Sequence, residues 1–232
     1  MNLSEKICRA IRDSGYGIDA DTGEKFAEYL RFLSEYNRSV NLTAITGEAE
    51  IIDKHFVDSL AAAGHIPEGA KVLDMGSGAG FPGIPLKLIR PDIRLTALDS
   101  SGKKCAFLRA LKARLGIEAD VAESRAGDFG RGVGRESFDT VVSRAVAELR
   151  VLAELGLPLV RTGGKVIAYK GRPAPEEIAA GDRAALAVGG AAGKAIRVPH
   201  GNEERTLIIY LKTSVTPTGY PRRYPRIIGD PI

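Results

Sequence analysis

Asp74, Gly76, Gly78, Gly80 and Asp99 are the residues on which chemistry could be built. The first four fall in the stretch VLDMGSGAGFPG, Val72 to Gly83, where a short apolar run ends in an acid and then in glycines at alternate positions. Glycine permits φ > 0 and removes the Cβ that would hold a ligand off the backbone. Pro82 and Pro85 favour a helix start, with Ile84, Leu86, Leu88 and Ile89 as its apolar side. The stretch therefore predicts strand, glycine loop and helix, the first half of a nucleotide-binding βαβ unit. Ile93 to Leu98 reads as the next strand and ends in Asp99, about 20 residues after the glycines, where an acid binds the two hydroxyls of a ribose.

Asp74 helps to choose the nucleotide. A pyrophosphate on the helix N-terminus gains nothing from a carboxylate beside the loop and is repelled by it. S-adenosylmethionine has no phosphate and carries a sulfonium and an ammonium, which an acid suits. The loop also departs from GxGxxG, since Gly80 comes two residues after Gly78. S-adenosylmethionine is thus the expected cofactor, with Asp74, Gly76, Gly78 and Asp99 as contacts. The alternatives are a ligand-free strand-to-helix turn and an NAD-dependent dehydrogenase.

Ligands of such sheets sit at the carboxyl ends of the strands. The loop Ala122 to Asp128 could hold an adenine through backbone groups, or be a solvated surface loop. Arg144 ends another strand; it could pair with a phosphate or an active-site carboxylate, or form a structural ion pair with Asp74 or Asp139. Other transfer chemistries leave marks that are missing. Neither Cys8 nor Cys105 is placed as a nucleophile, and the residues after the fourth strand, Ser143-Arg144-Ala145-Val146, are no Asp/Asn-Pro-Pro-aromatic loop. His55, His65 and His200 are scattered, without zinc-ligand spacing. His55 could touch substrate or be structural. An acceptor needing little help remains, and guanine N7 is one: its lone pair is free and no proton must leave, so alignment suffices. The tail from Thr213 sets Tyr220 and Tyr224 among Arg222, Arg223 and Arg226, which fits RNA contact or an arm docked on the protein's own surface.

The elements that must position these residues follow from pattern. Residues 1–66 read as a helical appendage, with Asp21 as a helix cap, an apolar stripe through Phe26, Leu30 and Leu33, and a second helix over Glu48 to Ala63. From residue 67 to 212 strands and helices alternate, predicting a parallel sheet covered on both faces. Ser100 or Ser101 caps a helix closed by Gly116; later strands fall at Ile117–Val121, Phe138–Val142 and, after a Gly163-Gly164 turn, Lys165–Tyr169. A helix over about Val146–Leu157 separates the last two. Ile196–Val198 and Thr206–Leu211 suit an antiparallel pair at the sheet edge, and residues 213–232 form the tail. The expected fold is α/β, a doubly wound seven-stranded Rossmann-like sheet of the S-adenosylmethionine-dependent methyltransferase kind. Two distant cysteines give no disulfide framework and suggest a reduced, cytoplasmic setting. No run approaches the roughly 18 apolar residues of a membrane span. A net charge of +4 permits a nucleic-acid partner without requiring one.

Several strings together resemble one family: NLTAI from Asn41, HFVDSL from His55, GSGAGFPGIPLKL from Gly76, LDSSGKKCAFL from Leu98, SRAVAEL from Ser143, Lys170-Gly171 and a YPR tail. They are similar to the bacterial small-subunit ribosomal RNA guanine-N7 methyltransferases, also called glucose-inhibited division protein B, from about residue 25 to the end. The resemblance implies methyl transfer from S-adenosylmethionine to N7 of one guanine in 16S ribosomal RNA, by positioning and without a covalent intermediate. It implies that Gly76, Phe81, Ala126 and Gly127 touch the cofactor, and that Arg144 borders the methyl group as the catalytic residue. Asn41, His55, Arg222, Arg223 and Arg226 are the candidate contacts to the RNA. The expected partner is that RNA or the ribosomal particle, with the protein acting as a monomer. One departure stands out: Arg125-Ala126-Gly127-Asp128 carries Gly127 where the family has an acid, so a side-chain contact is lost there and a backbone contact can survive.

Overall fold

A computed structural model describes residues 1–200 and 203–232. The chain opens with helices α1 (Leu3–Asp13), α2 (Ala20–Asn37) and a short α3 (Glu48–Glu50), which runs on into a π-helical segment Ile51–Val57 and a 3-10 segment Leu60–His65. Then come β1 (Lys71–Met75), α4 (Gly83–Ile89), β2 (Arg94–Asp99), α5 (Gly102–Leu115), β3 (Asp120–Glu123), α6 (Ala126–Arg131), β4 (Phe138–Arg144) and α7 (Leu149–Gly156). β5 (Val160–Lys170), α8 (Pro175–Ala187), β6 (Lys194–His200), β7 (Glu203–Leu211) and α9 (Tyr224–Gly229) complete the fold. The described strands form one sheet in the order β3-β2-β1-β4-β5-β7-β6. The first five are parallel, and β7 and β6 run antiparallel at the edge, as expected. The order reverses between β1 and β4, which makes their carboxyl ends the natural crevice.

Strand parity decides which residues meet. Val72, Leu95, Val142, Ile167, Leu207 and Ile209 pack in one apolar cluster with α1, α2 and the π-helical segment. Leu73, Met75, Val141, Val166 and Ile208 pack on the other face, with α7 and α8. Side chains alternate along a strand. Asp74, Asp99, Arg144, Tyr169 and Arg205 therefore share the face that carries the N-terminal helices, which set their surroundings.

Local differences from the expected elements have identifiable causes. Asp19 rather than Asp21 caps α2, accepting from Thr22 N at 2.8 Å. The expected single helix over Glu48–Ala63 is split: Ile51, Ile52, Phe56 and Val57 are buried, a spacing of five that suits π rather than α winding. β3 lies at Asp120–Glu123, later than Ile117–Val121, and α7 starts at Leu149 because Ala145 takes φ 56° and carries the chain out of the sheet first. Gly163 and Gly164 lie inside β5, beside a register shift against β4, and do not precede it as a turn. The tail contains the short helix α9, which was not expected. No helix among the described residues is long and apolar enough to cross a membrane.

Candidate active site

The glycine loop is held from below by Asp74. Its Oδ2 accepts from Ser77 Oγ at 2.6 Å and from Gly83 N at 2.9 Å, and a Cβ on Gly83 would lie 2.7 Å from that oxygen. Asp74 is fully buried and does not line the cleft, which corrects its expected role as a cofactor contact. A strand-end carboxylate can face outward or under the loop, and the parity of β1 places this one under α4. Burial raises its carboxyl to about 6, against the pull of the Ser77 and Gly83 donors.

Above it, Gly76, Gly78 and Gly80 take φ of 76°, 58° and 100°. A Cβ on Gly76 would come 2.5 Å from Val146, and one on Gly80 would come 2.7 Å from the Tyr29 hydroxyl. All the loop's amides but that of Ala79 are spent within the protein. Gly76 N and Ser77 N donate to Leu98 O, Gly80 N and Phe81 N to Ser77 O, Gly78 N to Asp99, and Gly83 N to Asp74. A pyrophosphate cradle needs such donors free.

Asp99 sits at the mouth of the same loop. Oδ2 accepts from Gly78 N at 3.0 Å and Oδ1 from Ser101 N at 2.9 Å, so each oxygen retains acceptor capacity toward the cleft that Asp99 lines. The cleft has a volume of about 1130 Å³; Met75, Leu98 and Leu155 give it an apolar wall, and Gly76, Gly78, Phe81, Ala126 and Gly127, expected to touch the cofactor, line it. Gly127 leaves room there: a Cβ would stand 3.4 Å from Leu155 and 3.5 Å from Arg131. An adenosine fits these features, with its sugar hydroxyls on Asp99 and its base against the apolar wall.

At the other end Arg144 enters the cleft from the end of β4. Its ion-pair partner is neither Asp74 nor Asp139. Asp139 pairs with Arg161, whereas Arg144 Nη1 donates to Asp58 Oδ2 at 2.7 Å and to Lys54 O at 2.9 Å. Asp58 is 1 % exposed, and its Oδ1 accepts from Arg205 Nε on β7. Arg144 Nη2 donates to His55 Nδ1 at 3.2 Å, and a guanidinium only donates, so that nitrogen is unprotonated. The neutral ring then carries its proton on Nε2 and gives it to Thr43 Oγ1 at 2.9 Å. Burial, and after it Arg144, lower His55 to about 4. Its ring stacks on Phe81 with centroids 4.4 Å apart, and the Arg144 guanidinium lies 5.1 Å from the Phe81 centroid.

The RNA candidates divide. His55 and Arg223 line the cleft; Asn41 is exposed on the loop one residue before Leu42, which does line it. Arg226 is exposed and reaches Asp230 at 3.7 Å. Arg222 is corrected: its Nε and Nη2 both donate to the buried Glu154 carboxylate at 2.7 Å, and Nη1 donates to Asp230 O at 2.8 Å. A basic residue in a proline-rich tail looks solvated in sequence, but Glu154, on the apolar helix α7, needs a cation. Sequence reasoning does not single out Asp58 or Thr43. The signal available was an acid in the apolar string HFVDSL, where burial demands a partner.

Comparison with known proteins bears on the family and on the sheet. The family model described as rRNA small subunit methyltransferase G matches residues 22–208. The Ribosomal RNA small subunit methyltransferase G of Pelotomaculum thermopropionicum is 43 % identical over 227 residues, 95 % of each chain. Among solved structures, a methyltransferase from Pyrococcus furiosus aligns with TM-score 0.59 at 16 % identity, covering 82 % of this chain and 99 % of that one. M. jannaschii TYW2 in complex with AdoMet aligns with TM-score 0.50 at 13 % identity, covering 66 % and 72 %. At these identities the two structures speak for the sheet alone. The match over most of the chain, on a fold of the right kind, places this protein in the rRNA small subunit methyltransferase G family.

Proposed function

We propose that this chain transfers a methyl group from S-adenosylmethionine to N7 of a guanine in 16S ribosomal RNA. Family membership supports the reaction and the RNA, and the M. jannaschii neighbour is a protein of the same sheet that holds this cofactor. The observation that carries the choice of cofactor is the glycine loop whose amides, Ala79 N apart, are spent on Leu98, Ser77, Asp74 and Asp99, beside a carboxylate that still accepts. Such a loop suits a nucleoside without phosphates.

S-adenosylmethionine, when bound, supplies an electrophilic methyl: a C–N bond forms from the N7 lone pair as the C–S bond breaks, the electron pair stays on sulfur, and no proton leaves. The protein's part is alignment. Asp99 accepts from the ribose hydroxyls, and Gly76 and Gly78 let the ligand approach the backbone. Arg144 is held at three of its five donors by Asp58, Lys54 O and His55. Its Nε–H and second Nη2–H, on one edge of the guanidinium, are left for an acceptor such as guanine O6 or a phosphate. Phe81, stacked on both the His55 and the Tyr29 rings, keeps water from this end.

In this reading residues 1–66 brace the acceptor end, 67–212 carry the cofactor, and 213–232 lie along the cleft. Asn41, His55 and Arg226 contact RNA. The protein works as a single copy in the cytoplasm. Incubation with tritiated S-adenosylmethionine and small-subunit particles, followed by mapping of the label, tests the reading. Label in one 7-methylguanosine is expected; no incorporation into naked or assembled 16S RNA overturns it.

A further inference from the structure

One wall of the cleft has no part in the reaction as described. Arg223, Tyr224 and Pro225, at the start of α9, line the cleft beside Gly127 and Arg131 of α6 and Leu155 of α7. The segment is fastened to those same two helices. Arg131 Nη1 donates to Pro221 O and Arg222 O, both at 3.1 Å; Arg222 pairs with Glu154 of α7; and Arg150 Nη1, also on α7, donates to Ile227 O at 3.2 Å. Ile227 is buried in the apolar cluster of that face.

These fastenings fix which end of the cleft the tail serves. Arg144 and its acceptor edge are held by Asp58, Lys54 and His55, on the face of the sheet that carries the N-terminal helices. The tail is held on the opposite face, by α6 and α7. Asp99 marks the ribose, and α6 follows β3, the strand next to β2. A nucleoside whose sugar lies on Asp99 and whose reacting end points to Arg144 therefore sends its base toward α6 and the tail. Tyr224, 47 % exposed, and Arg223 bring a ring and a planar guanidinium to that rim, and both groups stack on purine faces.

We infer that Arg223 and Tyr224 form the outer wall of the adenine slot, so that the C-terminal segment completes the cofactor site and does not serve chiefly as an RNA arm. The inference rests on the methyltransferase reading above. It makes the Arg222–Glu154 pair a positioning contact for cofactor binding.

Calorimetry with S-adenosylhomocysteine and with 5′-methylthioadenosine, which keeps the adenosine and lacks the amino acid, tests it on the full chain. Tyr224→Ala is expected to weaken both ligands by the same factor, about tenfold, as loss of a stacked base does. Arg223→Ala shifts both in the same direction, and Tyr224→Phe restores both. Unchanged affinity for both ligands in Tyr224→Ala and Arg223→Ala, with weaker binding of 16S RNA, overturns the inference and returns the tail to the RNA. Weakening of S-adenosylhomocysteine alone also overturns it, since the contact would then lie at the amino-acid end. Failure of the unaltered protein to bind either ligand removes the methyltransferase reading and the inference together, and is seen before any substitution is made. Tyr224 and Arg223 are exposed, so unchanged circular dichroism of the variants is expected alongside.

Discussion

Arg144 and Arg222 each meet a nearly sealed carboxylate at 2.7 Å, yet one faces ligand and the other is withdrawn. In the first pair the acid, Asp58, comes from the N-terminal segment and the arginine from a strand end, so ion pairing leaves one edge of the guanidinium in the cleft. In the second the arginine comes from the tail and the acid from α7. Glu154 takes Nε and Nη2, the backbone of Asp230 takes Nη1, and the Nε–H that Arg144 keeps free is spent here on the fastening. The same chemical pair thus orients a working group at one end of the chain and anchors a segment at the other. Three of five donors are engaged in each; what differs is that Arg144 stands on a strand of the sheet with its Nε–H free, whereas Arg222 and Glu154 both lie outside the sheet and the Nε–H is spent between them.

The largest effect is expected where the pair is purely structural. Glu154→Ala strands a buried guanidinium and should cost about 3–5 kcal/mol in urea unfolding; a loss within the range of surface pairs would mean that the tail is held by its backbone contacts alone. Arg144→Lys keeps the charge but loses the fork. Its kcat should fall about 100-fold while S-adenosylhomocysteine affinity stays within about twofold, as misaligned reactants behave. Equal loss of both would make Arg144 a cofactor residue and collapse the contrast. Asp99, a carboxylate with no arginine of its own, sharpens it from the other side. Asp99→Ala should weaken S-adenosylhomocysteine by about 1–3 kcal/mol in calorimetry, the worth of charge-assisted hydrogen bonds, and unchanged affinity would remove the ribose assignment.

The smallest effect concerns pH. His55 holds its proton less tightly folded, at about 4, than unfolded, near 6.5, so stability is lost as pH falls through that window. Asp74 holds its proton more tightly folded, at about 6, than unfolded, near 3.9, so its contribution is present at low pH and lost as pH rises through about 6. The two oppose each other between about pH 4 and 6. Thermal scans at pH 7 and 5 should therefore show Asp74→Asn losing more stability on acidification than the unaltered protein, and His55→Asn losing less, each by about 3 °C in Tm. Parallel behaviour of all three would refute the opposed titrations.

The sheet was legible in the sequence because each strand is short, apolar and ends where chemistry or a glycine begins. The places of Asp99 and the loop glycines were legible for the same reason, since they depend on backbone position. Asp74 was not: both neighbours in β1 are buried, so no alternation of polar and apolar residues tells which way the carboxylate points. Asp58 was hidden by π winding, which moves residues off the faces a 3.6-residue period assigns. Arg222 and Arg223, adjacent and identical in type, part company only because Glu154 lies on one side of the tail and the cleft on the other.

The spent amides of the glycine loop have a consequence for selectivity in a living cell. ATP presents the same base and sugar as S-adenosylmethionine, and cells hold it in abundance. A loop whose amides, Ala79 N apart, are spent within the protein, bordered by the Asp99 carboxylate, gives a triphosphate less purchase than a phosphate-binding loop does.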